Sequence, residues 1–110
     1  LAVKRIYDEA EPSDGKRILV DRLWPRGIRK DAIDVWFKDS APSDELRSWF
    51  HHETRLWPEF ERRYIAELDA APEVVKGLKT LIGDGPATLL YGARDEAHNQ
   101  AVVLRDYLAR

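Results

Sequence analysis

The run Thr88-Leu89-Leu90-Tyr91 carries no charged residue and no alternation of apolar with polar positions. A strand with one wet face alternates, so a run without a polar face has to be covered on both sides. The segment is therefore expected to be the central strand of a sheet. Sheets buried on both faces are mostly parallel, and parallel neighbours need crossover connections. This one segment already favours a layered α/β arrangement over a bundle or an open antiparallel sheet.

The remaining patterns fit that arrangement. Val3-Lys4-Arg5-Ile6-Tyr7 alternates and is rich in β-branched and aromatic residues, which reads as a strand. Pro12-Ser13-Asp14-Gly15 reads as a turn. A second, more apolar strand is expected from Arg17 to Asp21, a loop over 22–33, and a short third strand at Val35-Trp36-Phe37-Lys38. Ser43 has the character of an N-cap, with Asp44 and Glu45 in the first turn and Leu46, Trp49 and Phe50 at helical spacing. Trp57, Phe60, Tyr64 and Leu68 form the stripe of a second helix. Pro72 opens a third helix carrying Val75, Leu78 and Ile82, which Gly83 can end. Gly85-Pro86 breaks the chain before the central strand, and Asp95 is expected to cap a last helix with Ala97, Ala101, Leu104 and Leu108 on its core face. The expected fold is α/β: a small layered domain spanning residues 1–110, with a short, mostly parallel sheet of about four strands flanked by about four helices. The link from the early strands to the central one is expected to be a right-handed crossover through the helices.

Composition removes several classes of function. The chain has no cysteine, which excludes disulfides and thiol catalysis and fits a cytoplasmic location. With three histidines and no cysteine, no structural zinc site is expected, and no cofactor is implied. No apolar run approaches the ~20 residues of a membrane span, and no secretory signal opens the sequence. Leu1 is not an initiator methionine, so native residues are expected before it. The formal net charge of −2 weighs against a protein that coats nucleic acid through its overall field.

The candidate chemistry lies at two strand ends. Ile18-Leu19-Val20 runs into Asp21, Arg22, Trp24, Pro25, Arg26 and Gly27, so an acid, two guanidinium groups and an aromatic are delivered where a strand becomes a loop. The central strand leads to Arg94, Asp95, His98 and Asn99 at the start of the last helix. Ligands in open α/β sheets bind at the carboxyl ends of strands, and a helix N-terminus favours anions. These residues, with Lys38 as a further cation, point to a pocket for a small anionic or phosphate-bearing ligand. Asp21 and His98 are the candidate acid–base pair, and Arg22, Trp24, Arg26, Lys38, Arg94, Asp95 and Asn99 the candidate ligand contacts. Each has an unremarkable alternative. Asp21 can pair with Arg22 or Arg26 to pin the loop, Asp95 can be only a cap, Trp24 can be core, and His98 can be a surface residue. His51-His52 beside Glu53 is not expected to chelate a metal, because adjacent helical residues do not face one another. No phosphate-binding glycine loop, dinucleotide fingerprint, zinc-protease motif or nucleophile elbow is present.

A series of residues spread in order along nearly the whole chain carries a family resemblance. They include Arg5-Ile6-Tyr7, Asp14-Gly15, Leu19 through Gly27, Trp36, Lys38, Ala41-Pro42-Ser43, Leu46-Arg47 and Trp49-Phe50. They continue through His52, Trp57, Phe60, Tyr64, Glu67-Leu68, Leu89-Leu90-Tyr91, Ala93, Asp95, His98-Asn99 and Ala101 to Leu104. With these residues the chain resembles the DUF488 family, in its short YeaO-like branch. The resemblance implies a compact α/β domain of unassigned activity. The longer branch of that family ends its last strand with a Cys-His-Arg element. This chain has His98-Asn99-Gln100 in the comparable region, so thiol chemistry does not carry over. No helix-turn-helix with a basic recognition helix is apparent. Three functions follow from the residues: a small enzyme or binding domain for a nucleotide or sugar phosphate, a nucleic-acid module using the basic loop 22–30, and a protein-interaction domain. The last would use the aromatic-rich middle helices, in a chain that is a monomer or a homodimer.

Overall fold

The central strand is where the apolar run places it. In a computed structural model describing residues 1–110, β4 (Ala87–Tyr91) is buried at every position. It lies between β1 (Ala2–Arg5) and β2 (Lys16–Leu19), and β3 (Val35–Trp36) completes the order β1-β4-β2-β3. Every pairing is parallel. Four helices follow: α1 (Asp44–Phe50), α2 (Trp57–Asp69), α3 (Pro72–Ile82) and α4 (Gln100–Leu108). No helix is long and apolar enough to cross a membrane.

The first three strands are shorter than their sequence patterns, while β4 gains Ala87. Pairing reaches slightly past them, with Ile6 N–H donating to Tyr91 O at 2.8 Å and Val20 N–H to Leu90 O at 3.1 Å. The third strand ends after Trp36, because Lys38–Ser40 turns into a single 3₁₀ turn. Lys38 is therefore not a strand-end residue, and it rests its ammonium over the Trp36 ring at 5.2 Å.

The two faces of the sheet are covered differently. Ile18, Val20, Ala87, Leu89 and Tyr91 pack with Leu46, Phe50, Phe60, Tyr64, Leu78 and Leu104 from all four helices. On the opposite face Ile6, Leu19 and Leu90 are covered by Trp24, Ile28 and Ile33 of the β2–β3 loop. Trp24 donates its indole N–H to Ile28 O at 2.9 Å and meets Trp36 edge-on at 5.3 Å, so its ring is part of this cover. Burying a leucine-sized side chain fully is worth about 1.5–3 kcal/mol, so the six side chains that meet here together offset part of the entropy lost in ordering the loop.

The helix signals are local and mostly hold. Ser43 Oγ accepts from Leu46 N–H at 3.1 Å, capping α1. Phe60, Tyr64 and Leu68 form the buried stripe of α2, and Tyr64 donates its hydroxyl to Ser40 O. Trp49 and Trp57 flank this core half-buried. α4 starts later than its sequence suggests. Its cap is Asn99, whose Oδ1 accepts from Val102 N–H at 3.1 Å, and Ala97 lies exposed before the helix. Asp95 instead closes the preceding turn by accepting from Ala97 and His98 N–H at 2.9 and 3.0 Å. An Asp side chain satisfies nearby amides in a turn as well as in a cap, so sequence pattern does not separate the two.

One buried acid ties the sheet together. Asp14 ends the 3₁₀ turn Pro12–Asp14 and accepts from Lys4 Nζ of β1 at 2.7 Å and from an Arg17 guanidinium N–H of β2 at 2.5 Å. Its own carbonyl accepts from Thr88 Oγ1 of β4 at 2.8 Å. The following Gly15 is required: its φ is +64°, and a Cβ there would stand 2.1 Å from Pro86 O. The Lys4 ammonium, helped by the Glu11 amide, holds the Asp14 carboxyl down at about 2. A carboxyl lowered by folding stabilises above its unfolded value near 3.8, and that contribution disappears as pH falls toward 2. Asp14→Asn should cost roughly 2 kcal/mol at pH 7, as for lost hydrogen bonds to a charged group. It should also flatten the loss of stability between about pH 4 and 2. Urea unfolding of both proteins across that range checks this; parallel curves would show that Asp14 is not the titrating group.

Candidate functional site

A cleft of about 570 Å³ opens at the carboxyl ends of β2 and β4. The segment after β2 contributes Asp21, Arg22, Leu23, Trp24 and Pro25, and the segment after β4 contributes Gly92 and Ala93. His98, Asn99 and Gln100 line it from the start of α4, and Arg47, Ser48, Phe50, His51 and His52 from the end of α1. The strand order explains the meeting. β2 and β4 are neighbours in parallel register, so their chain ends leave the sheet side by side.

Asp21 is the interior acid of the cleft. Its Oδ2 accepts from Gly92 N–H at 2.9 Å, and its Oδ1 accepts from the Gln100 amide. Gly92 is needed for this approach, since a Cβ on it would lie 2.8 Å from Asp21 Oδ2. Burial pushes the Asp21 carboxyl up to about 6, against the Gly92 and Gln100 hydrogen bonds and the nearby charge of Arg47. This carboxyl can therefore hold or release a proton near neutrality. Asp21 forms no ion pair with Arg22 or Arg26. Arg22 donates to Pro42 O at 3.2 Å and lies 3.5 Å from Asp44 Oδ1. Arg47 reaches the same Asp44 oxygen at 3.1 Å, so two guanidinium groups gather around one exposed carboxylate beside the cleft.

His98 pairs its Nδ1 with Asp95 Oδ2 at 2.9 Å and sets its ring edge-on to Trp57 at 5.1 Å. The hydrogen bond from His98 is the leading reason that the Asp95 carboxyl is held below its usual range. Asp95 thus orients His98 without lining the cleft itself. The structure brings Asp21, Arg22, Trp24, His98 and Asn99 to one cleft, while Arg26, Lys38, Arg94 and Asp95 lie outside its lining. Arg26 and Arg94 are exposed, and the Arg26 carbonyl accepts from Tyr7 Oη at 3.0 Å. The amides ahead of α4 are also less available to an anion than a bare helix end. Asp95 takes those of Ala97 and His98, and Asn99 takes that of Val102.

Sequence reading missed Arg47, Gln100, His51 and His52. Arg47 and Gln100 reach the site only because helices dock over the strand ends, which no local pattern reports. His51 and His52 do carry a backbone signal. Their φ angles are +44° and +57°, the only positive values outside glycine. Left-handed backbone costs a side-chain-bearing residue roughly 1–2 kcal/mol, and such strain clusters at functional positions. No group of three or more metal-ligating side chains is assembled here or elsewhere in the chain.

A parallel α/β sheet with a cleft at the carboxyl ends of its strands defines the broad class of open α/β folds. Within it, the chain belongs to the DUF488-N3i family, described as the inactive DUF488-N3 subclade, which matches residues 1–110. It is 50% identical over 107 residues to the uncharacterized protein YeaO of Escherichia coli K12, covering 96% of this chain and 93% of that protein. It is 43% identical over 108 residues to the uncharacterized protein Rv3073c of Mycobacterium tuberculosis H37Rv, covering 96% and 91% respectively. No solved structure matches the chain significantly.

The raised Asp21 carboxyl gives a signed expectation. A carboxyl that folding raises to about 6 favours the folded state while protonated, so its contribution is full below about 3.8 and is lost as pH rises through 6. Asp21→Asn removes the charge and keeps an acceptor for Gly92. Its stability relative to the parent should therefore rise between pH 4 and 7, by on the order of 2 kcal/mol. Unfolding free energies at several pH values test this; a constant difference would place the Asp21 carboxyl near its ordinary range.

Proposed function

We propose that this cleft binds a small phosphate-bearing ligand, such as a sugar phosphate or nucleotide. The observation that carries the reading is the gathering of Arg22 and Arg47 around Asp44 Oδ1 at 3.5 and 3.1 Å beside the cleft. Two guanidinium groups within reach of one oxygen are spaced to share an anion, and phosphate offers them more acceptors than the exposed Asp44 carboxylate. The cleft size falls within the range of small-molecule sites. Phe50 and Phe60 give it apolar surface, and Asp21 and Asn99 give it polar groups to orient a ligand.

Binding without turnover is the better-supported form of this function. The description of the family as an inactive subclade favours it. Asp21 with the Asp95–His98 pair remains the constellation that would serve acid–base chemistry if turnover occurs. Support for a nucleic-acid surface on loop 22–30 is weaker. Trp24 is engaged in covering the sheet, and Arg29 faces Asp31 at 3.6 Å.

Thermal shift with ribose 5-phosphate, adenosine monophosphate and inorganic phosphate tests the reading. A ligand that binds only the folded state raises the melting temperature. The parent should shift with at least one phosphate. Arg22→Ala and Arg47→Ala should weaken that ligand about tenfold or more, the usual effect of losing a charge-assisted hydrogen bond, while Arg26→Ala leaves it unchanged. The absence of any shift in the parent, or equal loss in Arg26→Ala, would sink the proposal.

A further inference from the structure

We propose that the His51-His52 turn is the contact for the phosphate end of the ligand, which enters with its hydroxyl-bearing end toward Asp21. The inference rests on the reading of the cleft as the pocket of a phosphate-bearing molecule. It begins with distribution: the chain has three histidines, and all three line this cleft.

Backbone geometry singles out two of them. The turn is fastened to the end of α1, with His51 N–H donating to Arg47 O at 3.0 Å and Glu53 N–H to Phe50 O at 2.9 Å. Glycine or asparagine would make this left-handed turn with less strain. Histidine adopts left-handed backbone more readily than most residues with a side chain, yet neither imidazole hydrogen-bonds within the turn. The pair gives little to the core either, since both residues are exposed and only His52 meets a core ring, that of Phe50 at 6.1 Å. What the two residues add is a pair of imidazoles on the lining of the cleft. Arg47 lines the same cleft from the last turn of α1, with its guanidinium drawn toward Asp44.

Charge sets the direction of entry. Asp21 is partly buried in the interior of the cleft, whereas His51, His52 and Arg47 are exposed at its rim. A phosphate beside the Asp21 carboxylate would meet like charge in a desolvated setting. A hydroxyl there donates to it instead. The cleft thus suits a phosphorylated sugar, hydroxyls inward and phosphate outward.

Calorimetric titration with ribose 5-phosphate and with unphosphorylated ribose, on the parent and on His51→Gly, His52→Gly and the double variant, tests this. Glycine tolerates the turn geometry, so melting temperatures should equal or exceed that of the parent. The double variant should bind ribose 5-phosphate about tenfold more weakly, the scale of one or two lost hydrogen bonds to a charged group, with ribose binding unchanged. Unchanged affinity for ribose 5-phosphate would overturn the inference. So would an equal loss for both ligands, which would make the turn a shaper of the cleft rather than a phosphate contact. If ribose 5-phosphate binding depends on Arg47 but not on either histidine, only this inference falls. If the parent binds no ribose 5-phosphate, this inference falls, and the cleft reading falls with it only if adenosine monophosphate and inorganic phosphate fail to bind as well.

Discussion

The burial of β4 on both faces governs the rest of the molecule. A strand without a polar side exposes apolar surface wherever it is left bare, and here helices cover only one side. The other side is covered by residues 24–33, an irregular loop that brings Trp24, Ile28 and Ile33 over Leu19 and Leu90. That loop leaves β2 directly above the strand ends, so covering the sheet and presenting Asp21 and Arg22 are the work of one segment. Trp24 shows both sides of this: its ring closes the sheet face, and the same residue lines the cleft.

The helical side has a similar double use. Phe50 meets Phe60 at a tilt of 33° with ring centroids 4.4 Å apart, and it also ends α1 at the cleft wall. Packing of α1 against α2 therefore fixes where Arg47, His51 and His52 stand. The tie between these helices is polar as well as apolar, since Glu67 accepts from both Ser43 N–H and Ser43 Oγ. A cap and an interhelical contact share one serine, which leaves the first turn of α1 little freedom to drift relative to α2.

Much of this was legible in the chain before any coordinates. The unbroken apolar run at 88–91 announced a central strand, Ser43 announced a helix start, and the Trp57, Phe60, Tyr64, Leu68 spacing announced α2. These are local signals written in periodicity and turn chemistry. Asp21, Arg22, His98 and Asn99 were legible for a related reason: each follows shortly after an apolar strand, where ligand groups gather. Arg26, Arg94 and Lys38 share that position in sequence but not in space, because a loop residue one or two places on can face solvent at no cost. Arg47, Gln100 and the two rim histidines depend on helix docking, and docking is set by contacts distant in sequence. Asp95 read as the cap of α4 because an Asp that closes a turn and an Asp that starts a helix have the same sequence appearance. The buried role of Asp14 was equally hidden, since a Pro-Ser-Asp-Gly turn normally faces water.

The order β1-β4-β2-β3 also bears on how the molecule is made. The strand between β1 and β2 is the last of the four to be synthesised, so a nascent chain that ends before residue 87 lacks the strand that pairs with both. Lys4, Asp14 and Arg17 can meet early, but the Thr88 hydroxyl that completes their cluster arrives some seventy residues later. Until then the apolar faces of β2 and of the aromatic helices have no sheet to close upon. Non-local parallel pairing of this kind is slow and leaves such surfaces open during assembly. Formation of the four-stranded sheet therefore waits until the chain has been made as far as Tyr91.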